Sequence, residues 1–189
     1  MKRRTSSQSS TLVRTRKRVD EFDPRDIGLA DATSKIALPA LLESFGLESV
    51  PTWRHIPAGA RYPVCAKLDY GSGAMGFRII RNMSEWLALQ QDDTGNKLVF
   101  QPFLRGPEFR VTLGVDSTLA ALLVCRHGRD TWWSAVVLPE ELCARLHGLR
   151  TALGCSVVGI DVIRTESAWH VIDINTTPDV SMHLDAVLQ

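Results

Sequence analysis

The C-terminal part of the chain restricts the fold most, because it is typical of a β-hairpin. Two stretches, SVVGIDVIR and WHVIDIN, alternate apolar with polar residues on the two sides of a short turn. Alternate residues of a strand share a face, so the acids are expected to lie on the face opposite the isoleucines. In the second strand this predicts two sets, Ile172 with Ile174 toward the core and Asp173 with Asn175 away from it.

The register of this hairpin decides whether its acids form a site. If the turn centres near Ser167, Asp161 and Asp173 become cross-strand neighbours on one face. A slip of one residue would separate them. Opposed carboxylates repel each other unless a proton or a cation relieves the repulsion. The hairpin therefore predicts an Mg²⁺ site with Asn175 as a neutral oxygen ligand, and the alternative is two acids that simply face water.

The remaining segments are short strands with helices between them. Helices are predicted near 31–46, 82–91 and 139–154, each with a capping or stop residue at an end. Strands fill most of the rest, and a break near Gly106 divides them. This order predicts an α+β fold with mostly antiparallel sheets. A length of 189 residues suits one domain, or two small subdomains that share a cleft.

Composition and cysteine usage favour a cytoplasmic protein. Apolar residues make up 44% and charged residues 23% of the chain, and no apolar run approaches the ~18 residues of a membrane span. The four cysteines lie far apart without metal-ligand spacing, so they are expected to be reduced core thiols. They are Cys65, Cys125, Cys143 and Cys155.

The N-terminal tail differs in charge from the rest of the chain. Seven of the 22 basic residues lie within residues 1–18, which contain no acid, and this leaves 15 basic against 21 acidic residues elsewhere. Residues 1–28 are therefore expected to be a basic, disordered tail. A nucleic-acid arm and a transit peptide are the alternatives.

A lysine followed by glycines stands in the stretch AKLDYGSGAMG. Glycines let backbone N–H groups approach phosphate oxygens, and Lys67 would add a point charge. The lysine precedes the glycines on a strand, so this is not a Walker A loop. A flexible hairpin connection is the alternative to a phosphate-binding loop.

Two polar residues, Gln101 and Glu108, interrupt otherwise apolar strands in the middle of the chain. A strand edge beside apolar side chains suits a flat base, and the carboxylate of Glu108 suits two ribose hydroxyls. The alternative is a hairpin turn with Glu108 merely exposed.

Taken in order, these features resemble the ATP-grasp superfamily of carboxylate–amine ligases. LRGPEF is similar to a strand turn of D-alanine–D-alanine ligases, and GIDVIRTESAWHVIDINTTP is similar to their magnesium-binding end and to that of ribosomal S6-modifying and cyanophycin synthetases. The middle strands and the helix after them also resemble ligases that cyclise ribosomal peptides. The resemblance covers residues 31–185. It implies two α+β lobes, 29–105 with the glycine loop and 106–189 with the metal site, and ATP in the cleft between them.

The resemblance also implies roles for individual residues. Lys35 and Lys67 would bind ATP phosphates, and residues 71–76 would close over them as a lid. The adenine edge would be lined by Gln101, Phe103 and Leu104, and Glu108 would hold the ribose. Two Mg²⁺ ions, with Mn²⁺ as an alternative, would be bound by Asp161, Asp173 and Asn175. The lid residues implied in nucleotide binding are Gly71, Ser72, Gly73 and Gly76.

The chain departs from the family pattern at several positions. Asp173 stands where Glu is usual, and Gln101 stands where the adenine hinge often begins with Glu. Some members place an Arg just before the first metal acid, where this chain has Gly159 and Ile160. Three other arginines are alternatives for stabilising the oxyanion of the transition state. The residues assigned as catalytic are Lys67, Arg110 and Arg164. The alternatives are Arg110, Arg129 and Arg164.

The implied function is ATP-dependent activation of a small-molecule or peptide carboxylate as an acyl phosphate, followed by amide formation with an amine. These ligases usually have a further N-terminal domain, so a partner chain or a second copy is expected to complete the site. Membranes and nucleic acids are not expected partners. The alternatives are a nucleotide-binding module without its own catalysis and a small-molecule kinase.

Overall fold

The computed structural model describes residues 34–70, 77–91, 98–127 and 130–178, and these form two β-sheets and three helices. The helices are α1 (Leu38–Glu43), α2 (Met83–Gln91) and α3 (Glu140–Ala152). The strands are β1 (Glu48–Ser49), β2 (Val64–Leu68), β3 (Arg78–Ile80), β4 (Leu98–Pro102), β5 (Glu108–Leu113), β6 (Thr118–His127), β7 (Asp130–Ala135), β8 (Val158–Arg164) and β9 (Trp169–Asn175).

The larger sheet has six strands in the order β1-β9-β8-β5-β6-β7. Its strands pair antiparallel except β1 and β9, which pair parallel. Its core face packs against α1 and α3, whose buried leucines include Leu42 and Leu146. On β5 the odd-numbered residues Phe109, Val111 and Leu113 belong to this core. The even-numbered residues therefore lie on the opposite face.

The smaller sheet has three strands in the order β3-β2-β4 and packs against α2. Val64 and Ala66 of β2 join Phe100 of β4 in its core, as the alternation in the sequence predicted. Lys67 lies on the other face of β2. Helix α2 begins where predicted, because Asn82 Oδ1 accepts a hydrogen bond from the Glu85 N–H at 3.0 Å.

The segment that contains α1 and β1 packs with the larger sheet, although it precedes the smaller one in the chain. Leu38 and Leu42 lie in the larger core, and Glu48 pairs with His170 of β9. The predicted lobe of residues 29–105 placed this segment with the glycine loop. Its apolar side faces the core of the larger sheet instead, so residues 38–49 do not pack with the smaller sheet as the predicted lobe implied. The division of the rest of the chain near residue 105 stays a prediction.

A β-bulge in the β8–β9 hairpin corrects one part of the predicted alternation. Next to the turn, Arg164 pairs with Trp169, and this register alone would set Asp161 opposite Ile172. The register shifts beyond Val162, so that Asp161 pairs with Asp173. The core positions of β9 are consequently Val171 and Ile174, and not Ile172 with Ile174 as the sequence predicted. Bulges of this kind re-aim side chains, and here the bulge keeps Asp173 off the core face.

The thiols agree with the prediction where the structure describes them. Cys65, Cys143 and Cys155 carry no disulfide, and burial raises the pKa of the Cys65 and Cys143 thiols. The side chain of Cys125 lies outside the described residues, as do the basic tail, the glycine loop 71–76 and Arg129. Within the described ranges, no helix is long and apolar enough to cross a membrane.

Candidate functional site

A row of charged side chains crosses three neighbouring strands on the face of the larger sheet that lies opposite its core. Arg110 of β5 pairs in register with Asp161 of β8, and Asp161 pairs with Asp173 of β9. The two aspartates are therefore cross-strand neighbours, as the hairpin predicted. The arginine adjoining them was one of three alternatives in the sequence.

Arg110 binds Asp161 through two parallel hydrogen bonds. Its Nε donates to Asp161 Oδ1 and its Nη2 to Oδ2, both at 2.7 Å. The hydrogen bond to Asp161 raises the pKa of Arg110, against the opposing effect of burial. Such two-point pairs fix the guanidinium plane as well as its charge. Arg110 is thus held rigidly beside the acid pair.

Asp173 has a different partner, Lys35, whose Nζ lies 3.3 Å from Asp173 Oδ1. Lys35 is only 5% exposed, so its charge acts in a poorly solvated place. Burial raises the pKa of Asp173 above its ordinary value, and the nearby charge of Asp161 adds to the rise. The charges of Lys35 and Lys67 oppose it, which places Lys67 within electrostatic reach of Asp173.

These five residues form what we call the charge cluster: Lys35, Lys67, Arg110, Asp161 and Asp173. Two of the cations, Lys35 and Arg110, contact the opposed carboxylates, and the charge of Lys67 acts on Asp173 from a third part of the chain. Anionic oxygens of a ligand would meet a net positive charge here, while the carboxylates offer oxygen ligands to a divalent cation.

Asp161 and Asp173 are better placed than Asn175 to act as ligands of a divalent cation. Each ionised carboxylate offers about four lone-pair sites, so Asp161 and Asp173 keep acceptor capacity beyond the bonds to Arg110 and Lys35. Asn175 Oδ1 instead accepts a hydrogen bond from the Thr177 N–H at 2.9 Å. Among the described residues, no group of three or more His, Cys, Asp or Glu side chains is placed to hold a metal ion. Ligand oxygens would therefore have to complete any coordination shell.

Gly159 explains how the chain after β9 reaches this site. Gly159 pairs with Asn175, and a Cβ added to it would lie 2.9 Å from Pro178 Cβ. The position therefore has no room for a side chain as long as Pro178 stays in place.

The predicted adenine-edge residues lie at the end of β4 and directly after it, and some of their polar groups are already hydrogen-bonded. Gln101 is 3% exposed, and its Nε2 donates to Thr52 Oγ1 at 2.9 Å. The N–H of Phe103 donates to the Pro63 carbonyl at 3.1 Å. Leu104 is half-buried. A base at this edge would therefore use groups other than the Phe103 N–H and the Gln101 amide nitrogen.

Glu108 lies on the same face of β5 as Arg110, and its charge contributes to the raised pKa of Arg110. The turn before it is tight, because a Cβ on Gly106 would lie 2.0 Å from the Arg164 carbonyl oxygen. The GPE turn is thereby fixed against the end of β8. Glu108 is the first residue of β5, so its position along the strand is fixed as well.

Arg164, assigned as catalytic from the sequence, lies outside the charge cluster. It stands three residues after Asp161 on β8 and therefore on the other face of the strand. Its guanidinium carbon lies 5.4 Å from the ring centroid of Trp169, which packs against the larger core. The structure thus places Arg110 at the acid pair and separates Arg164 from it.

The sequence analysis missed Asp69, which follows β2 directly and is 1% exposed. Its Oδ1 accepts hydrogen bonds from Ser34 Oγ and the Ile36 N–H, both at 3.1 Å, and its other oxygen pairs with Arg54. The sequence signal that could have pointed to it is an acid directly after an apolar strand. The prediction for this stretch concerned only Lys67 and the glycines. The partners lie 15 to 35 residues away in the chain and leave no local pattern.

Comparison with known proteins identifies the architecture. No protein-family model matches the sequence, and no curated protein matches it. Among solved structures, D-alanine–D-alanine ligase from Bacillus anthracis superposes with a TM-score of 0.67 at 15% identity, over 85% of this chain and 64% of that one. The ATP-grasp ligase PsnB complexed with a minimal precursor gives 0.67 at 17% identity, over 83% and 56%.

A third similar structure is the macrocyclase MdnC bound with precursor peptide MdnA from Microcystis aeruginosa MRC. It gives a TM-score of 0.62 at 16% identity, over 80% of this chain and 55% of that one. The chain therefore spans less than two thirds of each of these three proteins. At such identities the likeness concerns the fold.

Proposed function

We propose that this chain, which has the ATP-grasp fold of these ligases, binds Mg-ATP between its two sheets and forms an amide bond. The observation that carries the proposal is the charge cluster, in which Arg110 and Lys35 contact two opposed carboxylates and the charge of Lys67 acts on one of them. A triphosphate with its magnesium supplies the complementary charges, because its oxygens attract the cations and its metal attracts the carboxylates.

The roles in phosphoryl transfer follow from the contacts. Lys35 and Lys67 hold phosphate oxygens, and Arg110 directs its fixed guanidinium plane at the transferred phosphoryl group. Bound Mg²⁺ would neutralise phosphate charge between Asp161 and Asp173. A substrate carboxylate oxygen attacks the γ-phosphorus and ADP leaves. An amine then attacks the resulting acyl phosphate, loses a proton, and releases inorganic phosphate.

The ion pairs indicate that metal and nucleotide bind together. Arg110 engages both oxygens of Asp161, and Lys35 engages Asp173. A metal ion alone would have to enter among these cations, whereas phosphate oxygens give Lys35 and Arg110 new anionic partners. Mg-ATP is therefore expected to bind as one unit, and Mg²⁺ alone only weakly.

The nucleoside part of ATP would lie along the segment that joins β4 to β5. Leu104 and the apolar part of Phe103 offer a surface for adenine, and Glu108 offers a carboxylate to the ribose hydroxyls. Gln101 would act indirectly, since it fixes Thr52. Gly71, Ser72, Gly73 and Gly76 remain proposed phosphate ligands outside the described residues.

Two substrate classes are supported by the similar structures. PsnB and MdnC are bound to precursor peptides, while the D-alanine–D-alanine ligase and an L-amino acid ligase from Bacillus licheniformis are named for small amino acids. The proposal therefore covers a peptide or a small amino acid as the carboxylate donor, and an amine as its acceptor.

A second candidate function is a nucleotide-binding module without independent catalysis. The observation in its favour is that Arg110 occupies both oxygens of Asp161, the residue proposed as a metal ligand. Asp173 is also shorter than the glutamate usual at that position in the ligases that the sequence resembles. Such a module would act together with a partner chain.

Calorimetric titration with Mg-ATP, followed by ADP-release assays with candidate peptides and amino acids, separates these functions. The ligase requires saturable binding and ADP release that depends on a carboxylate and an amine. Lys67→Ala is expected to abolish turnover, because the phosphates lose a point charge at the cluster. Binding without turnover under every substrate pair supports the module, and ADP release retained by Lys67→Ala contradicts the assigned site.

A further inference from the structure

Asp69 is a buried carboxylate without a role in the proposed chemistry. It is 1% exposed and lies two residues after Lys67, where β2 has ended. A charged group in such a place is costly unless it is paired and hydrogen-bonded. Asp69 meets that condition, because Arg54 pairs with one oxygen while Ser34 Oγ and the Ile36 N–H donate to the other.

The contacts of Asp69 enclose one residue, Lys35. Ser34 and Ile36 are its two neighbours in the chain, and the Lys35 N–H itself donates to the Asp69 carbonyl at 3.3 Å. The backbone of the lysine is therefore fixed on both sides and in the middle. Its side chain then extends to place Nζ 3.3 Å from Asp173.

Asp69 acts on the first turn of the helical segment from outside that segment. Ser34 Oγ accepts a hydrogen bond from the Ala37 N–H at 3.4 Å, and the Leu38 N–H donates to the Ser34 carbonyl at 3.0 Å, so Ser34 caps this turn. Asp69 holds the same turn through the Ser34 hydroxyl and the Ile36 N–H. The residue at the middle of these contacts is Lys35, whose side chain reaches the charge cluster.

We infer that Asp69 is a positioning residue, which holds Lys35 against the smaller sheet so that both phosphate-binding lysines keep a fixed separation. The inference rests on the proposed function, since it assumes that Lys35 binds ATP phosphates. A lysine ammonium stands on a flexible four-carbon stem, so an anchored backbone removes one source of freedom in its position. Because Asp69 follows Lys67 by two residues, its carboxylate ties the backbone on both sides of Lys35 to the end of the strand that carries Lys67.

A double-mutant cycle tests this inference. Mg-ATP affinity is measured by calorimetry in the parent protein, Asp69→Asn, Lys35→Ala and the double variant. Asparagine keeps the shape of the side chain but loses the charge that holds Arg54 and strengthens the bonds to Ser34 and Ile36. We expect Asp69→Asn to weaken binding about tenfold in the parent and less than twofold in the Lys35→Ala background.

A purely structural role would give another pattern. If Asp69 only stabilises the fold, Asp69→Asn weakens binding equally in both backgrounds, and this outcome overturns the inference. Ser34→Ala removes the donor to Asp69 and the acceptor of the Ala37 N–H without a change of charge, and it is expected to weaken binding two- to threefold in the parent alone. It keeps the test decisive if Asp69→Asn fails to fold.

Stability is followed alongside affinity through the thermal midpoint. Ile80→Val, in the core of the smaller sheet, is the control, because it lowers the midpoint without contact to Lys35. Its Mg-ATP affinity is expected to match the parent. If the parent itself does not bind Mg-ATP, the proposed function fails and the inference fails with it. If the parent binds and Asp69→Asn binds equally well, the inference alone is wrong.

Discussion

The two faces of the larger sheet differ sharply where β5, β8 and β9 lie side by side. Toward α1 and α3, the side chains of Val111, Ile160 and Val171 are at most 1% exposed and apolar. On the opposite face, the same three strands present Arg110, Asp161 and Asp173. Neighbouring residues of one strand thus lie in a dry apolar core and in a half-buried ionic row.

This difference separates the source of stability from the proposed source of function. The apolar face gains free energy in proportion to the area that it removes from water. The ionic face gives up part of this free energy, because burial disfavours the charged form of Asp173 even with Lys35 beside it. We infer that substitutions on one face change mainly folding and substitutions on the other change mainly catalysis.

The largest expected effect is on the apolar face. Leu146 of α3 is 0% exposed in the core of the larger sheet. Leu146→Ala removes buried methyl groups and leaves a cavity, so the free energy of unfolding is expected to fall by about 2–5 kcal/mol. Chemical denaturation measures this loss. ADP release per folded molecule should stay close to that of the parent.

A matched control exists on α2, where Leu87 is 52% exposed. Leu87→Ala is the same chemical change without a cavity, and it is expected to leave the denaturation midpoint nearly unchanged. The comparison between the faces fails if Leu146→Ala reduces turnover per folded molecule as strongly as it reduces stability.

The next effect is on the ionic face. Arg110→Lys keeps one positive charge beside Asp161 but cannot make two parallel hydrogen bonds in a fixed plane. By analogy with the loss of one donor to a transition state, kcat is expected to fall about 10²–10³-fold. The thermal midpoint should change little. Steady-state ADP release and a thermal scan of the same preparation check both expectations.

Arg164→Lys provides the control on the same sheet. Arg164 lies over Trp169 on the other face of β8, so its replacement should leave kcat unchanged. Equal losses of kcat in the two variants would show that Arg110 has no special place in the reaction.

Much of this organisation was predictable from local patterns. The strands and the three helix regions follow from alternation, turn residues and capping preferences. The hairpin also predicted Asp161 and Asp173 as neighbours, although the β-bulge sets the register in which they pair. These signals lie within a few residues of one another. A resemblance in the order of motifs added the ATP-grasp fold, which the similar structures confirm.

The rest depends on contacts between distant parts of the chain. That Arg110 and not Arg164 meets Asp161 follows from the pairing of β5 with β8, which no local pattern specifies. The β-bulge depends on the core accepting Val171 and Ile174 together. The bonds from Asp69 to residues 34–36 join segments that are far apart in sequence.

The smallest expected effect is on the pH dependence of stability. It measures how much free energy of unfolding the burial of Asp173 on the ionic face costs. Burial raises the pKa of Asp173 in the folded protein above its ordinary value of 3.8. In the window from 3.8 up to the folded value, the folded state binds more protons than the unfolded state. The contribution of Asp173 to stability therefore decreases as the pH rises through this window, with a slope of at most about 1.4 kcal/mol per pH unit.

Asp173→Asn lacks this titration, although it also leaves Lys35 without that carboxylate. The attraction to Lys35 is one of the causes that set the folded pKa of Asp173, so its loss is part of the pH-dependent difference, and the informative quantity is the trend with pH. The free energy of unfolding of the variant minus that of the parent is expected to increase with pH above about 3.8. A difference for Asp173→Asn that stays flat or decreases would mean that the ionic row stabilises its own acid, and the two faces would then not differ in the sense proposed.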